Sequence, residues 1–427
     1  MHQVQEGSLQ EPVLWAIMAM AARLTEKPSL RSRATEIADW AKTLLKQTID
    51  CVALWNIQAC MLVGNLCVAV GDYQTESLWY GVAIHMAKIL HLPRPDPEDD
   101  AITIEVKLRV WWSLYMMDRW SSAGNGLQRQ LSDETDHPLP MEELQFQSLA
   151  RNDDPSKAVR PGIWGQMVRL ASIFARIQDS HRQHAGRTHT EEAALSSASE
   201  MEATAHRLAG ELDRFSDQLP STMMLSDSNM RFHAGKGLGS AYVALHLGFH
   251  HYATLLYFPF LDHQLERSDT QLLFASRCKH HAAAFSDLLK ASHSTPSCEA
   301  VHTIVGHMTV VSSAALLHTL LFGEDFELPL TRQRLETNFE TLVRLQKYWP
   351  AVGHLMDRLF AFQRACMWSA DPNTHKIDRW MMRFLLNHAL PVSDRESLAE
   401  DLEAAVSGHL QQRGQFAGEA LSILRPA

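Results

Sequence analysis

Apolar residues recur along most of the chain at three- and four-residue intervals, the spacing that gathers them on one face of an α-helix. Val13, Ile17, Met20 and Ala21 form the first such stripe. A second lies in 33–47, where Ile37, Trp40, Ala41, Leu44 and Leu45 share a side. Further helices are expected over 52–70, ended by the turn pair Gly71 and Asp72, and over 75–90, stopped ahead of Pro93 and Pro95. The strongest pattern covers 102–120. There Leu108, Trp111, Trp112, Tyr115 and Arg119 fall on one face, and Glu105 stands four residues before Arg109 as a favourable pair.

Residues 121–140 lose the period and carry Gly124, Gly126, Pro138 and Pro140. A loop of about twenty residues is expected, and loops that long are commonly functional or well packed. A helix should follow Pro140, with Glu142 and Glu143 where its dipole favours acids. Residues 151–161 read as a polar break and 163–177 as a helix. The small, polar stretch 184–199 is expected to be the most flexible. Residues 208–219 read as helix and 220–239 as an irregular connection. Later helices are expected over 240–257, 270–292, 297–321, 332–348 and 351–369, with a last pair at 376–389 and 397–411. Thr295 before Pro296 reads as an N-cap with proline at the first helical position, and Thr331 as a second cap. Sustained period-two alternation and a fixed repeat are not found. The expected fold class is all-α, a single large multi-helix bundle of about fifteen helices. Its N-terminal part, 1–140, contains the tryptophan helix and the loop after it, and 141–427 supplies the remaining helices.

Composition narrows the function classes. The chain has 427 residues, 46% of them hydrophobic and 21% charged, which supports a sizeable core and argues against wholesale disorder. The formal net charge is -10, and the longest basic cluster is Arg31-Ser-Arg33, so this chain is not expected to grip DNA alone. The six cysteines, at 51, 60, 67, 278, 298 and 366, are scattered, which suits a reducing compartment and no disulfide framework. The first ten residues lack the pattern of a signal peptide. The stretch 241–261 reads as the most apolar of the chain. It holds three histidines and Pro259, so a buried core helix is expected and no membrane partner.

Few motifs carry chemistry. A binuclear zinc cluster needs closely spaced cysteines, whereas Cys51, Cys60 and Cys67 are nine and seven apart, and no C-x-x-C occurs. Cys60 and Cys67, two helical turns apart, are expected in the core. Among 23 histidines, His246 and His250 stand four apart on one helix face, and His280 and His281 could join them from a neighbouring helix. There is no H-E-x-x-H and no carboxylate three or four residues from them. Hydrogen-bonded core histidines are therefore preferred to a metal site, with a pocket lined by these rings as the alternative. No G-x-S-x-G, Walker-type or dinucleotide glycine loop is found, and Gly235-Lys236-Gly237-Leu238-Gly239 follows no strand. No cofactor and no metal are expected. Asp118 and Arg119 form either a buried ion pair or, with Arg119 turned to a ligand, a carboxylate anchor.

Two segments carry a resemblance. Trp79-Tyr-Gly-Val-Ala-Ile-His-Met-Ala-Lys-Ile-Leu-His-Leu92 precedes Leu108-Arg-Val-Trp-Trp-Ser-Leu-Tyr-Met-Met-Asp-Arg119, and Leu131-Ser-Asp-Glu-Thr-Asp-His-Pro-Leu-Pro140 follows. In this order they resemble the middle homology region of the fungal-specific transcription factors, regulators that usually carry an N-terminal zinc cluster. The stretches 244–252 and 255–261, and Lys347-Tyr-Trp-Pro350, resemble later landmarks of that family, so the likeness runs from about residue 12 to about 370. It implies an all-helical regulatory domain that senses metabolites and makes dimer or coregulator contacts. It also implies a nuclear location and control of a metabolic or secondary-metabolite gene cluster. The departures are specific. The zinc cluster, basic linker and coiled coil of the family are not found here. Gly126-Leu127-Gln128 stands where the family has Gly-Arg-Pro, and Phe258-Pro259-Phe260 where it has Arg-Pro-Phe. Either a more apolar pocket or simple drift accounts for losing these two arginines.

The leading expectation is therefore a transcription regulator, or its regulatory region, that responds to a small-molecule effector. It would reach DNA only through a partner or an N-terminal domain outside this chain. Trp112, Tyr115, Arg119, His246, His250 and Phe258 are the candidate ligand-binding residues. The alternative is a helical-scaffold enzyme performing acid–base cyclisation or isomerisation in the cytoplasm, with His246, His250, Asp118 and Tyr115 as its catalytic groups.

Overall fold

The computed structural model describes residues 9–133, 136–186, 191–262, 268–367 and 379–390, with 377, 413–414 and 418–419. Among these residues every regular element is helical. The expected helix at 397–411 lies outside the described residues. The helices form two compact units, one of residues 1–169 with 348–351, the other of 170–347 with 352–427.

In the first unit, helices Glu11–Leu24, Ala34–Gln47, Leu54–Val68, Tyr73–Ile89 and Ala101–Asn125 enclose a core of Val13, Leu45, Ile57, Val63, Ala83, Leu108 and Trp112. Side-chain caps set their starts. Asp72 accepts the Thr75 N–H at 3.1 Å and Asp100 the Thr103 N–H at 2.7 Å. Residues 348–351 return to this unit. Arg23 Nη1 donates to the Tyr348 carbonyl at 3.1 Å, the Tyr348 hydroxyl donates to Glu26, and the Ala351 N–H donates to the Ala69 carbonyl.

In the second unit, the helix Thr303–Phe322 is central. It packs against Gly239–Tyr257, Asp269–Ser294, Leu328–Gln346 and Val352–Met367, and is buried from Val305 to Leu321. It is long and apolar enough to cross a membrane, and 94% of its apolar window is buried inside the protein. This helix, rather than 241–261, is the most apolar of the chain. Its companions already satisfy it, as expected of a core helix.

Several boundaries differ from expectation for local reasons. The tryptophan helix runs on to Asn125, because Gly126, at φ 67°, supplies the left-handed residue that ends it, and Leu127 N–H closes back on the Ser122 carbonyl at 2.8 Å. The loop therefore begins at 126. The helix expected over 163–177 extends over Ile163–Gly186, and helix resumes over Glu191–Asp217. The Glu/Ala/Ser stretch read as flexible has good helix propensity, and its residues 187–190 lie outside the described residues. Residues 220–239 are not irregular throughout. Ser226 caps a helix over Asp227–Gly235 by accepting the Asn229 N–H. The Thr295–Pro296 cap is not used, since Ser297 takes φ 62° and the next helix starts at Thr303. Thr331 is not a cap either. Its hydroxyl donates to the Glu327 carbonyl inside a helix that starts at Leu328, while Glu324 and Glu327 form a capping box before it. Finally, Ile17 and Ala21 of the first stripe face outward, and Pro12, Val13, Ala16 and Ala19 are buried instead.

Candidate functional site

The first cluster of candidate residues stands on the 101–125 helix, where one face is a ladder of polar side chains set into an apolar surface. At its start, Glu105 is fully buried. Its carboxylate accepts from Arg109 Nε at 3.1 Å, from Arg160 Nη2 at 2.8 Å and from the Met141 N–H at 2.9 Å. Two turns on, Trp112 Nε1–H donates to the Pro138 carbonyl at 2.7 Å. Tyr115 donates its hydroxyl to Asp133 Oδ1 at 2.9 Å. Arg119, with no exposed surface, donates to Asp133 Oδ1, to the Leu131 carbonyl at 3.1 Å and to the Tyr115 carbonyl at 3.3 Å. Asp118 accepts the backbone N–H groups of Gln130 at 3.0 Å and Leu131 at 2.9 Å, and pairs with Arg119 at 3.3 Å.

This ladder binds the chain's own loop. Positions 105, 109, 112, 115 and 119 recur every three or four residues, so they point to one side, and the 126–142 loop lies along that side. The backbone groups of Leu131, Pro138 and Met141 meet charged or ring partners there, as buried polar groups must. The expected buried pair of Asp118 and Arg119 is present. Burial opposes ionisation of Asp133, but the Arg119 and Tyr115 hydrogen bonds hold its carboxyl below the ordinary carboxylate range. Arg119 Nε is buried without a hydrogen-bond partner. Beyond the loop, a surface pocket of about 510 Å³ is lined by Met141, Gln145, Leu149, Asp153 and Lys157, and holds none of the candidate residues.

The second cluster stands on the 239–257 helix, in the other unit. His246 Nε2–H donates to the Met223 carbonyl at 3.0 Å, and its ring meets Tyr242 edge-on at 4.8 Å. Tyr242 also stacks on His233 at 4.7 Å, and His233 Nε2–H donates to the Thr222 carbonyl at 2.9 Å. The Tyr242 hydroxyl donates to the Met224 carbonyl at 2.6 Å. Three successive carbonyls, 222 to 224, are thus held by three rings. His250 and His281 share a hydrogen bond between their Nδ1 atoms at 3.0 Å, so the neighbouring helix does bring His281 to His250. Burial is the main cause that lowers these imidazoles, to about 4 for His246, about 3 for His250 and about 4 for His281. They are neutral at cellular pH. Phe258 is fully buried and meets Phe362 edge-on at 6.2 Å.

Trp112, Tyr115, Asp118 and Arg119 therefore act together in one unit, and His246, His250 and Phe258 belong to the other. Of the two positions where the family's arginines are missing, Leu127 is 50% exposed, whereas Phe258 is core. Among the described residues, no group of three or more His, Cys, Asp or Glu side chains is arranged to hold a metal ion. Cys60 and Cys67 are buried in the core, and burial pushes the Cys60 thiol up to about 12. Sequence reasoning did not find Asp133, Arg160 or His233. The available signal was the three-to-four-residue recurrence of polar groups on an apolar helix that leads into a proline-bearing loop.

Comparison with known proteins bears on the same region. A family model described as the fungal specific transcription factor domain matches residues 3–234. The transcriptional activator protein acu-15 of Neurospora crassa is 26% identical over 170 residues, 39% of this chain and 18% of that protein. A Zn(2)-C6 fungal-type transcription factor, FTF1c, of Fusarium oxysporum f. sp. lycopersici is 22% identical over 402 residues, 82% of this chain and 41% of that protein. An uncharacterised transcriptional regulatory protein of Schizosaccharomyces pombe is 21% identical, covering 83% of this chain and 48% of its own length. The chain thus spans less than half the length of these relatives. No solved structure matches. The relatives carry regulator names, which leaves the acid–base enzyme alternative without support.

Proposed function

Because the chain belongs to the fungal specific transcription factor domain family, we propose that it is the regulatory region of a transcription regulator. The family match over 3–234 carries this reading, and relatives named as transcriptional activators and regulators support it. The region works in the nucleus and controls a metabolic or secondary-metabolite gene cluster. DNA is reached through a partner or through a segment outside these residues, since the chain is acidic and its cysteines lack zinc-cluster spacing.

The region receives its signal as a small-molecule effector. Trp112, Tyr115 and Arg119 hold the 126–142 loop, and an effector acts by competing with that loop for the same ring and guanidinium. The unpartnered Arg119 Nε supports this reading, because it leaves one buried donor for an acceptor to claim. His246, His250 and Phe258 supply the same kind of apolar, ring-lined surface in the second unit.

The test is a reporter assay in a fungal host with the chromosomal copy replaced. Deletion of residues 1–234 should abolish regulation of the controlled genes. Arg119→Lys should leave the protein folded, as judged by circular dichroism, and shift the effector concentration for half response. Unchanged expression across the genome on deletion would overturn the regulator reading. An unchanged dose response in a folded Arg119→Lys variant would overturn the effector site.

A further inference from the structure

Of the 17 prolines in the chain, one follows a hydroxyl residue, Pro296 after Thr295. The pair lies in the turn between the 269–294 helix and the helix that begins at Thr303. The Cys298 N–H closes this turn on the Thr295 carbonyl at 3.2 Å, with Pro296 second and Ser297, at φ 62°, third. That third place is the left-handed position of a type II turn, where glycine is preferred and a serine is strained. Thr295 itself is extended, at φ -112° and ψ 117°, as a following proline favours. Pro296 and Ser297 are exposed and Thr295 partly so. An extended, solvent-facing Thr-Pro is what proline-directed protein kinases accept, and the proline brings no N–H that their groove would leave unpaired.

The two sides of the turn are held differently. On the helix side, the Thr295 hydroxyl donates to the Ala291 carbonyl at 3.0 Å and its N–H to the Ser292 carbonyl at 3.3 Å. Helix ends fray, so these bonds open at little cost and free the hydroxyl. On the inner side, Cys298 is fully buried, and its thiol faces the Met230 carbonyl at 3.8 Å. The Ser297 carbonyl packs on Gly239, where a Cβ would stand 2.6 Å from that oxygen. The turn thus braces the 227–239 segment, including the glycine-rich stretch at its end. A phosphate on Thr295 could not donate to Ala291. It would also set negative charge at a helix end whose dipole is already negative, four residues before Glu299. Arg344 and His293 already face Glu299, at 3.2 and 3.9 Å. Both changes work against the closed turn.

We propose that Thr295 is a phosphorylation site for a proline-directed protein kinase, and that the phosphate loosens the turn and the 227–239 segment braced on it. This input is covalent, lies in the second unit and does not depend on the effector reading above. In the transfer, the Thr295 hydroxyl oxygen bonds to the γ-phosphorus of ATP as the bond from that phosphorus to the β-phosphate oxygen breaks. ADP leaves, and the hydroxyl proton passes to the kinase's catalytic base. The test incubates the full chain with a mitogen-activated protein kinase and ATP, and maps phosphate by mass spectrometry of its peptides. Thr295 should carry the phosphate. Thr295→Ala and Pro296→Ala should lose it with unchanged circular dichroism, and Thr295→Ser, which keeps the hydroxyl, should retain it. Hydrogen exchange of the amides at 227–239 and 292–298 should be faster in the phosphorylated chain than in the unmodified one. Absence of phosphate from Thr295, or phosphate that persists there in the Pro296→Ala chain, would overturn the site. Phosphothreonine at 295 with unchanged exchange would overturn the loosening.

Discussion

The guanidinium carbon of Arg119 lies 3.3 Å from the centre of the Tyr115 ring, one helical turn earlier, and the two side chains end on the same oxygen, Asp133 Oδ1. The fully buried cation thus stacks on a ring, pairs with two carboxylates and donates to the Leu131 and Tyr115 carbonyls. Removing it leaves the buried Asp118 carboxylate without its cation and Asp133 with Arg129 alone, at 3.8 Å. Arg119→Ala should cost about 3–5 kcal/mol in urea unfolding. Arg33→Ala, which breaks an exposed pair with Glu36, should leave the urea midpoint nearly unchanged, because water and salt screen that pair. Equal costs at the two positions would show that the 126–142 loop is not held by this ion network.

Trp112 and Trp111 are neighbours with different work. Trp112 is buried and its indole N–H donates to the Pro138 carbonyl, whereas Trp111 is half-buried, meets His137 edge-on, and its indole nitrogen has no hydrogen-bond partner. Trp112→Ala should therefore cost about 3–5 kcal/mol and Trp111→Ala clearly less. Trp112→Phe isolates the hydrogen bond, keeps most of the ring and should cost about 1–3 kcal/mol. Thermal melts of the three variants read the order directly. Trp111→Ala as the most damaging change would place the core on the wrong indole.

These contacts show what was legible before the fold was known. The helices were, because their apolar spacing is local. So was the pairing of Glu105 with Arg109, one turn apart. The partners that decide what the candidate residues do were not. Asp133 is 14 residues from Arg119, Met223 is 23 from His246 and His281 is 31 from His250. The 11–24 helix misled for a different reason. It is apolar almost all round, so periodicity could not say that Ile17 faces out while Val13 faces in. Thr295–Pro296 satisfied a real capping rule, but the turn at Ser297 postponed the next helix.

The buried histidines make the second unit sensitive to acid. His246, His250, His251, His281 and His388 are all lowered chiefly by burial, to about 4, 3, 3, 4 and 3. In the unfolded chain each titrates near 6.5. Their stabilisation is therefore complete above 6.5 and is lost as pH falls toward 3–4, because the unfolded state takes up protons first. Each contributes a slope of about 1.4 kcal/mol per pH unit once the pH is well below 6.5. Urea midpoints should fall steeply between pH 7 and 5, and His246→Phe should make the fall shallower. A flat profile over that range would mean that these rings are hydrated in the native protein.

Glu76 carries the opposite sign, in the first unit. It is 7% exposed, accepts a hydrogen bond from Ser121 Oγ at 3.2 Å, and burial raises its carboxyl to about 7. An unfolded glutamate titrates near 4.3. The native state thus holds the proton more tightly. The stability this lends is complete below the unfolded value and is lost as pH rises through about 7, where a charge must form between the 73–89 and 101–125 helices. Glu76→Gln keeps an acceptor for Ser121 and has no proton to lose. It should match the parent near pH 4 and exceed it by about 1–3 kcal/mol near pH 8, measured by urea unfolding at both values. A variant less stable than the parent at pH 8 would mean that the carboxylate is stabilised by charge in the folded state, and the sign assigned to Glu76 would be reversed.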